Sequence, residues 1–205
     1  MLYAPDYASV PVIECSPPSW MVHLLLVEKG FPYEIRWLDF SSGEHRTDAM
    51  RELNPRGTIP VLVDRGAVVH ETFAILAYLE HARPTPAFLP EDDAARAVAL
   101  TRFFETSYVK RVGMDVFGAL MRGDNPPWSA FDEELSRWEG YLGATRFASG
   151  DRIGLADVAL FTYVATAKKL GWDLDARPNL RAHHDVLCAR DTVRSTWPKT
   201  FEPPI

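Results

Sequence analysis

The spacing of apolar and polar residues changes character along the chain. Up to about residue 80 it mixes short β-prone runs with brief apolar helices, and from Ala94 onward the apolar residues fall at helical spacing. Val10 to Glu14 is a β-prone run halted by Cys15-Ser16-Pro17-Pro18, whose prolines end any strand and whose Ser16 and Ser19 suit the turn into a helix. Trp20 to Lys29 predicts that helix, with Gly30 as its left-handed stop. Tyr33 to Phe40 alternates in part and predicts a second strand, which makes a βαβ unit. A polar stretch follows from Ser41 to Asp48. Val61 to Val63 then predicts a strand directly after a proline, Asp64-Arg65-Gly66 a turn, Ala67 to Val69 its partner strand, and Phe73 to Leu79 a helix begun near Thr72. Pro84, Pro86 and Pro90 crowd too closely for a helix or a central strand, so residues 83–93 read as a linker. Beyond it, Val98, Phe103, Phe104, Phe131, Leu135, Trp138, Leu142 and the run Leu155 to Lys169 predict helices, broken at Gly123 to Pro127 and again at Pro178. The expected organisation is an α/β domain over 1–82, the linker, and an all-α domain over 94–205.

Composition narrows the possibilities. With 205 residues, 47% of them hydrophobic, the chain can bury two cores. Its net charge of −6, with no Lys/Arg cluster, argues against a nucleic-acid partner. Leu24 to Val27 is too short for a membrane span, and Ile153 to Ala167 is interrupted by Asp157, so no membrane partner is expected. Met1 to Asp6 lacks the positive start and apolar stretch of a secretion signal, which gives a cytoplasmic expectation. Cys15 and Cys188 form neither a CxxC pair nor a disulfide framework. His70-Glu71 lacks the second histidine of an HExxH site and His183-His184 point to different faces of a helix, so no metal is expected.

Three segments add chemistry to this layout. Asn54-Pro55-Arg56-Gly57-Thr58-Ile59-Pro60-Val61-Leu62 resembles the NPxGxVPxL segment of the glutathione transferase family, and Glu71-Thr72-Phe73-Ala74-Ile75-Leu76-Ala77-Tyr78-Leu79 resembles its E-S-x-A-I-x-x-Y-L segment, at matching spacing. Gly154-Leu155-Ala156-Asp157 resembles the S/T-x-A-D motif that caps the main C-terminal helix. The resemblance spans both domains and implies a thioredoxin-like βαβ-ββα domain that binds glutathione as cosubstrate, followed by an α-helical substrate domain. It also implies a homodimer, formed by the N-terminal domain of one subunit and the C-terminal helices of the other.

By the same resemblance Pro60 is expected to be cis, which leaves the Ile59 N–H and C=O free to pair with the cysteinyl unit of glutathione like an added strand. A trans proline at the start of a strand is the structural alternative. The γ-glutamyl end carries an ammonium and a carboxylate. A buried Glu71 would take the first, and the Thr72 hydroxyl and N–H, at the positive start of a helix, the second. The purely structural alternative is a helix start with a favourable acidic residue and a threonine cap. Arg46 stands where one subgroup has a lysine and is a candidate clamp for the glycyl carboxylate, with His45 as fallback. Thr58 occupies a position where Lys or Gln is frequent in the family, which weakens the expected glycyl contacts.

Catalysis requires a glutathione thiolate, because a thiol of pKa ~8.5 is mostly protonated at neutral pH. Ser16-Pro17-Pro18-Ser19-Trp20-Met21-Val22 resembles the S-x-x-S-W-x-V region of zeta- and tau-like members, in which the first serine donates to the sulfur, so Ser16 is the candidate catalytic residue. A turn or cap hydroxyl is its structural alternative. Cys15 offers a rival chemistry as the nucleophile of a glutathione-disulfide reductase or thioltransferase. The register opposes it: counted back from Gly30, the cysteine of omega-like members falls on Ser16 and that of beta-like members on Pro18. A small electrophilic substrate would lie between the domains, with Tyr108, Arg111, Met114 and Phe117 at helical spacings that could face it, as could Tyr163. The reaction expected is conjugation, dehalogenation or isomerisation, and a binding or assembly module of the glutathione-transferase fold with no turnover is the alternative of another class. Asp157 is expected to cap its own helix through the Gly154 N–H, with Gly154 in place of the usual Ser/Thr.

Overall fold

The computed structural model describes residues 1–202. The chain forms two compact units, one comprising Met1–Pro86 together with residues 196–202, the other Ala87–Ser195. In the first unit the elements run β1 (Leu2–Pro5), α1 (Pro17–Glu28), β2 (Ile35–Leu38), α2 (Asp48–Leu53), β3 (Val61–Asp64), β4 (Ala67–His70) and α3 (Thr72–Ala82). Among the described residues the strands form one sheet in the order β2-β1-β3-β4, with β1 parallel to β2 and antiparallel to β3.

The first strand is not where its apolar run predicts. Val10 to Glu14 forms turns, because Pro11 offers no N–H to a ladder and Val12 and Glu14 adopt φ of 66° and 49°. Leu2–Pro5 is the strand instead. It is held on both edges, with Leu2 opposite Ile35 on one side and Leu62 on the other. The βαβ-ββα order survives this shift of the opening element.

Helix α1 is apolar around its circumference, from Trp20 to Leu26 apart from His23, and correspondingly buried on every side. Trp20 is 0% exposed, and its Nε1–H donates to Thr196 at 3.3 Å while Trp197 and Phe201 meet its ring edge-on. Burial pushes the His23 imidazole down to about 4, and its Nε2 shares a 2.9 Å hydrogen bond with the Tyr33 hydroxyl.

At the far end of α1 lies a clamp of charged side chains. The Lys29 ammonium is fully buried and meets the Glu80 carboxylate, itself only 7% exposed, at 2.5 Å. The same ammonium donates to the carbonyls of Arg83 at 2.6 Å and Pro86 at 2.8 Å. Arg83 answers by donating to the carbonyls of Lys29 and Gly30. The C-terminal ends of α1 and α3 are thus tied through paired ions whose remaining hydrogens are spent on backbone oxygens, the condition under which a buried charge is tolerated.

The second unit holds α4 (Asp93–Arg122), α5 (Trp128–Ala144), α6 (Leu155–Lys169), α7 (Pro178–Cys188) and α8 (Asp191–Thr196), the last ending at the boundary of the first unit. Asp92 caps α4 by accepting the Ala95 N–H at 2.8 Å. The core is built on α6, which is buried continuously from Leu155 to Ala167. Helix α4 comes close to α6 at Gly113, where a Cβ would lie 2.9 Å from the Tyr163 ring. Tyr163 is 0% exposed and stacks with Phe117, which is 2% exposed, at 6.2 Å. Both rings therefore belong to the core rather than to a substrate surface.

Asp157 caps α6 as expected, accepting the Gly154 N–H at 2.8 Å. Its other oxygen accepts the Ala148 N–H and meets His183 Nε2, each at 2.8 Å. The glycine at 154 has a packing reason, since a Cβ there would sit 3.1 Å from the Phe88 carbonyl, which accepts the Leu155 N–H at 3.2 Å. The missing capping hydroxyl is replaced by a close backbone approach.

Candidate active site

The Ile59–Pro60 peptide is cis. Asn54, 0% exposed, braces the segment before it: its side-chain amide donates to the Thr58 carbonyl at 2.7 Å and hydroxyl at 2.9 Å, while its oxygen accepts the Arg56 N–H at 3.2 Å. Thr58 is thus engaged by Asn54 within the fold. Ile59 packs partly against the cluster of Leu38, Met50 and Val61, and its backbone N–H and C=O make no hydrogen bond among the described residues. A rigid segment therefore presents one open peptide edge.

Four residues after β3 and β4 form their hairpin turn, the chain passes from His70 into the start of α3. Glu71 is the N-cap residue, at φ 68° and ψ 116°, and its side chain makes no capping bond. A non-glycine residue at positive φ costs on the order of 1–3 kcal/mol and is held only by its surroundings. Thr72, the first helical residue, is 4% exposed. The Glu71 side chain is 53% exposed, contrary to the buried acid expected. Arg56 Nε faces it at 3.9 Å. What lies together here is a helix start without a side-chain cap, a buried threonine and an exposed carboxylate beside a guanidinium.

Ser16 is the N-cap of α1 and is half-buried. Pro17 and Pro18 occupy the first two helical positions, where an N–H would lack an intrahelical partner in any case. The first amide available to a cap is that of Ser19, and it donates to Ser16 Oγ at 3.4 Å. The two hydroxyl oxygens lie 3.0 Å apart, and Ser19 is 0% exposed. The S-x-x-S spacing around the prolines signals this shared cap, while the bracing role of Asn54 and the approach of Arg56 to Glu71 emerge only in the folded unit. Cys15 is 2% exposed and lies outside any strand, in the loop before α1.

Arg46 is exposed, in the short 3-10 turn Glu44–Arg46 ahead of α2. His45 is 5% exposed and stacks on Phe40 at 4.4 Å with 5° between planes, and burial followed by the Arg46 charge holds its imidazole below the ordinary value. That histidine serves packing, which leaves Arg46 as the side chain free to reach a ligand. In the helical unit, Tyr108 and Arg111 line a cavity of about 350 Å³ together with Glu105, Glu134, Trp138 and Tyr141 of α4 and α5. Met114 is exposed on α4.

Both units of the chain resemble known proteins. Residues 15–82 match the family model of the glutathione S-transferase N-terminal domain, and residues 128–185 that of the glutathione S-transferase C-terminal domain. The chain is 31% identical to a maleylacetoacetate isomerase of Pseudomonas aeruginosa, over 89% of this chain and 92% of that one. It is 29% identical to glutathione S-transferase A of Pleuronectes platessa, over 91% and 89%. The crystal structure of a glutathione S-transferase from the Antarctic clam Laternula elliptica superposes with a TM-score of 0.82 at 32% identity, over 97% of this chain and 92% of that one. With both domain models matched across an N-terminal sheet unit and a C-terminal helical unit, the chain belongs to the glutathione S-transferase family and is an enzyme of that family.

Proposed function

We propose that this enzyme binds glutathione on the Ile59–Pro60 segment and the start of α3, and ionises its thiol with Ser16 for attack on a small electrophile. The observation that carries the reading is Ser16 itself, a half-buried N-cap hydroxyl in the same compact unit as the cis Ile59–Pro60 peptide and the Glu71–Thr72 turn. The open peptide edge of Ile59 pairs with the cysteinyl backbone. The α3 amides and the Thr72 hydroxyl receive the γ-glutamyl carboxylate, and Glu71 its ammonium. Exposure of Glu71 suits this role, since a carboxylate still reachable from solvent can be covered by an incoming cation. Arg46 takes the glycyl carboxylate, and the backbone at Thr58 supports the peptide edge beside it.

The Ser16 O–H then donates to the sulfur. Lowering a thiol pKa by about two units corresponds to ~2.7 kcal/mol in favour of thiolate, within reach of one charge-assisted bond at a helix N-terminus. The thiolate adds to an electrophilic carbon, and the outcome is conjugation, dehalogenation or isomerisation according to what leaves. Relatives named maleylacetoacetate isomerase, from Pseudomonas aeruginosa and from Rattus norvegicus, favour isomerisation among the three. Tyr108 and Arg111 are proposed substrate-facing residues of the helical unit. The setting implied is a cytoplasmic homodimer acting in detoxification or in the turnover of a small metabolite.

Ser16→Ala is expected to lower turnover by about 100-fold, the usual effect of deleting one donor to a developing anion, while retention on immobilised glutathione is unchanged. Full turnover in Ser16→Ala with loss in Cys15→Ala would replace this reading with the thioltransferase one. The 2% exposure of Cys15 opposes that outcome, because a mixed disulfide needs a sulfur that glutathione can reach.

A further inference from the structure

We infer that Ser19 is a positioning residue that sets the direction of the Ser16 hydroxyl, so that Ser16 Oγ receives two hydrogens from Ser19 and must point its own outward. The inference deepens the proposed role of Ser16 and rests on it. Two hydroxyl oxygens 3.0 Å apart share one contact but carry two hydrogens, and only one of these can lie between them. Burial decides which. The 3.0 Å oxygen–oxygen geometry admits either hydroxyl as donor, but Ser19 is 0% exposed and, among the described residues, its hydroxyl has no acceptor other than Ser16 Oγ. If the Ser16 hydrogen occupied the contact, the Ser19 O–H would be left buried without an acceptor, and an unsatisfied buried donor is the costly arrangement. If the Ser19 hydrogen occupies it, every group is satisfied. Ser16 is half-buried, so its own O–H has open space to turn into.

The amide of Ser19 completes the device. Its N–H reaches Ser16 Oγ at 3.4 Å, so both lone pairs of that oxygen face Ser19 and its hydrogen is directed away from α1. Pro17 and Pro18 keep the arrangement unambiguous, because neither ring offers an N–H that could compete for the Ser16 oxygen. An oxygen that accepts two bonds is also a stronger donor, since hydrogen bonds in a chain polarise one another. The double proline thereby acts through the Ser16 hydroxyl: among the described residues it leaves Ser19 as the only hydrogen-bond partner of Ser16 Oγ.

The test is a double-mutant cycle on turnover, read together with the pH profile of kcat. Ser19→Ala removes the hydroxyl but keeps the amide cap. It is expected to lower kcat at neutral pH by about threefold to tenfold, move the acidic limb of the profile to higher pH, and leave KM for glutathione unchanged. Since Ser19 acts through Ser16, the double variant with Ser16→Ala and Ser19→Ala should be no slower than Ser16→Ala alone. An unchanged pH profile in Ser19→Ala overturns the inference, as does a double variant in which the two losses multiply. Lost glutathione affinity in Ser19→Ala would assign the residue to packing and equally overturn it. If Ser16→Ala itself leaves the profile unmoved, the reading of Ser16 fails, and this result is distinct from all the others.

Discussion

Asp157→Ala is expected to destabilise the helical unit by about 3–5 kcal/mol. The carboxylate is 0% exposed and takes three bonds of 2.8 Å, from the Gly154 N–H, the Ala148 N–H and His183. Alanine would leave two backbone donors and an imidazole without their acceptor in a site water does not reach, and each orphaned group costs about 1–3 kcal/mol. The residues it joins lie in the 148–154 loop, at the start of α6 and on α7, so one side chain fixes three segments at once. Urea unfolding followed by near-ultraviolet dichroism would register the loss as a lower midpoint. Asp157→Asn should recover only part of it, because the amide keeps one acceptor oxygen but turns an NH2 toward a donor. An Asp157→Ala protein within 1 kcal/mol of the parent would show that this network is not what holds the loop.

Lys29→Met should cost nearly as much in the other unit, about 3–5 kcal/mol. The ammonium and the Glu80 carboxylate are both out of water, so removing the lysine strands a buried charge and also releases the carbonyls of Arg83 and Pro86. The diagnostic feature is recovery. Combining Lys29→Met with Glu80→Leu removes the stranded carboxylate, and that double variant is expected to be more stable than Lys29→Met alone by about 2 kcal/mol. Additive losses in a denaturant titration of the four proteins would instead mean that the lysine acts through its carbonyl contacts, with the ion pair contributing little.

Local signals made much of the architecture legible in advance. The prolines between Pro84 and Pro90 mark the stretch where the division between the units falls, and Pro178 starts α7 at a position where its missing N–H costs nothing. Strand β1 escaped because it is four residues long and ends in Pro5, too short for alternation to register, and it is a strand because β2 and β3 both pair with it. The Val10 to Glu14 run has the more strand-like composition, yet no strand pairs with it among the described residues. In the site, the residues flanking Pro60 signal the cis peptide through a motif, whereas no spacing encodes the positive φ of Glu71 or the exposure of its side chain. Tyr163 and Phe117 show the limit of helical periodicity, which tells that residues share a face but not which neighbour covers it. His183 is 26 residues from Asp157, and only the folded unit brings the two together.

The central claim is that Ser16 makes a thiolate of bound glutathione. Its most direct measurement is the ultraviolet thiolate absorbance of the binary complex, titrated against pH for the parent and for Ser16→Ala. The bound thiol is expected to ionise about two pH units below the ordinary ~8.5 in the parent and near that ordinary value in the variant, with equal glutathione affinity at pH values below both transitions. A bound thiol that ionises at the same depressed pH in both proteins would contradict it.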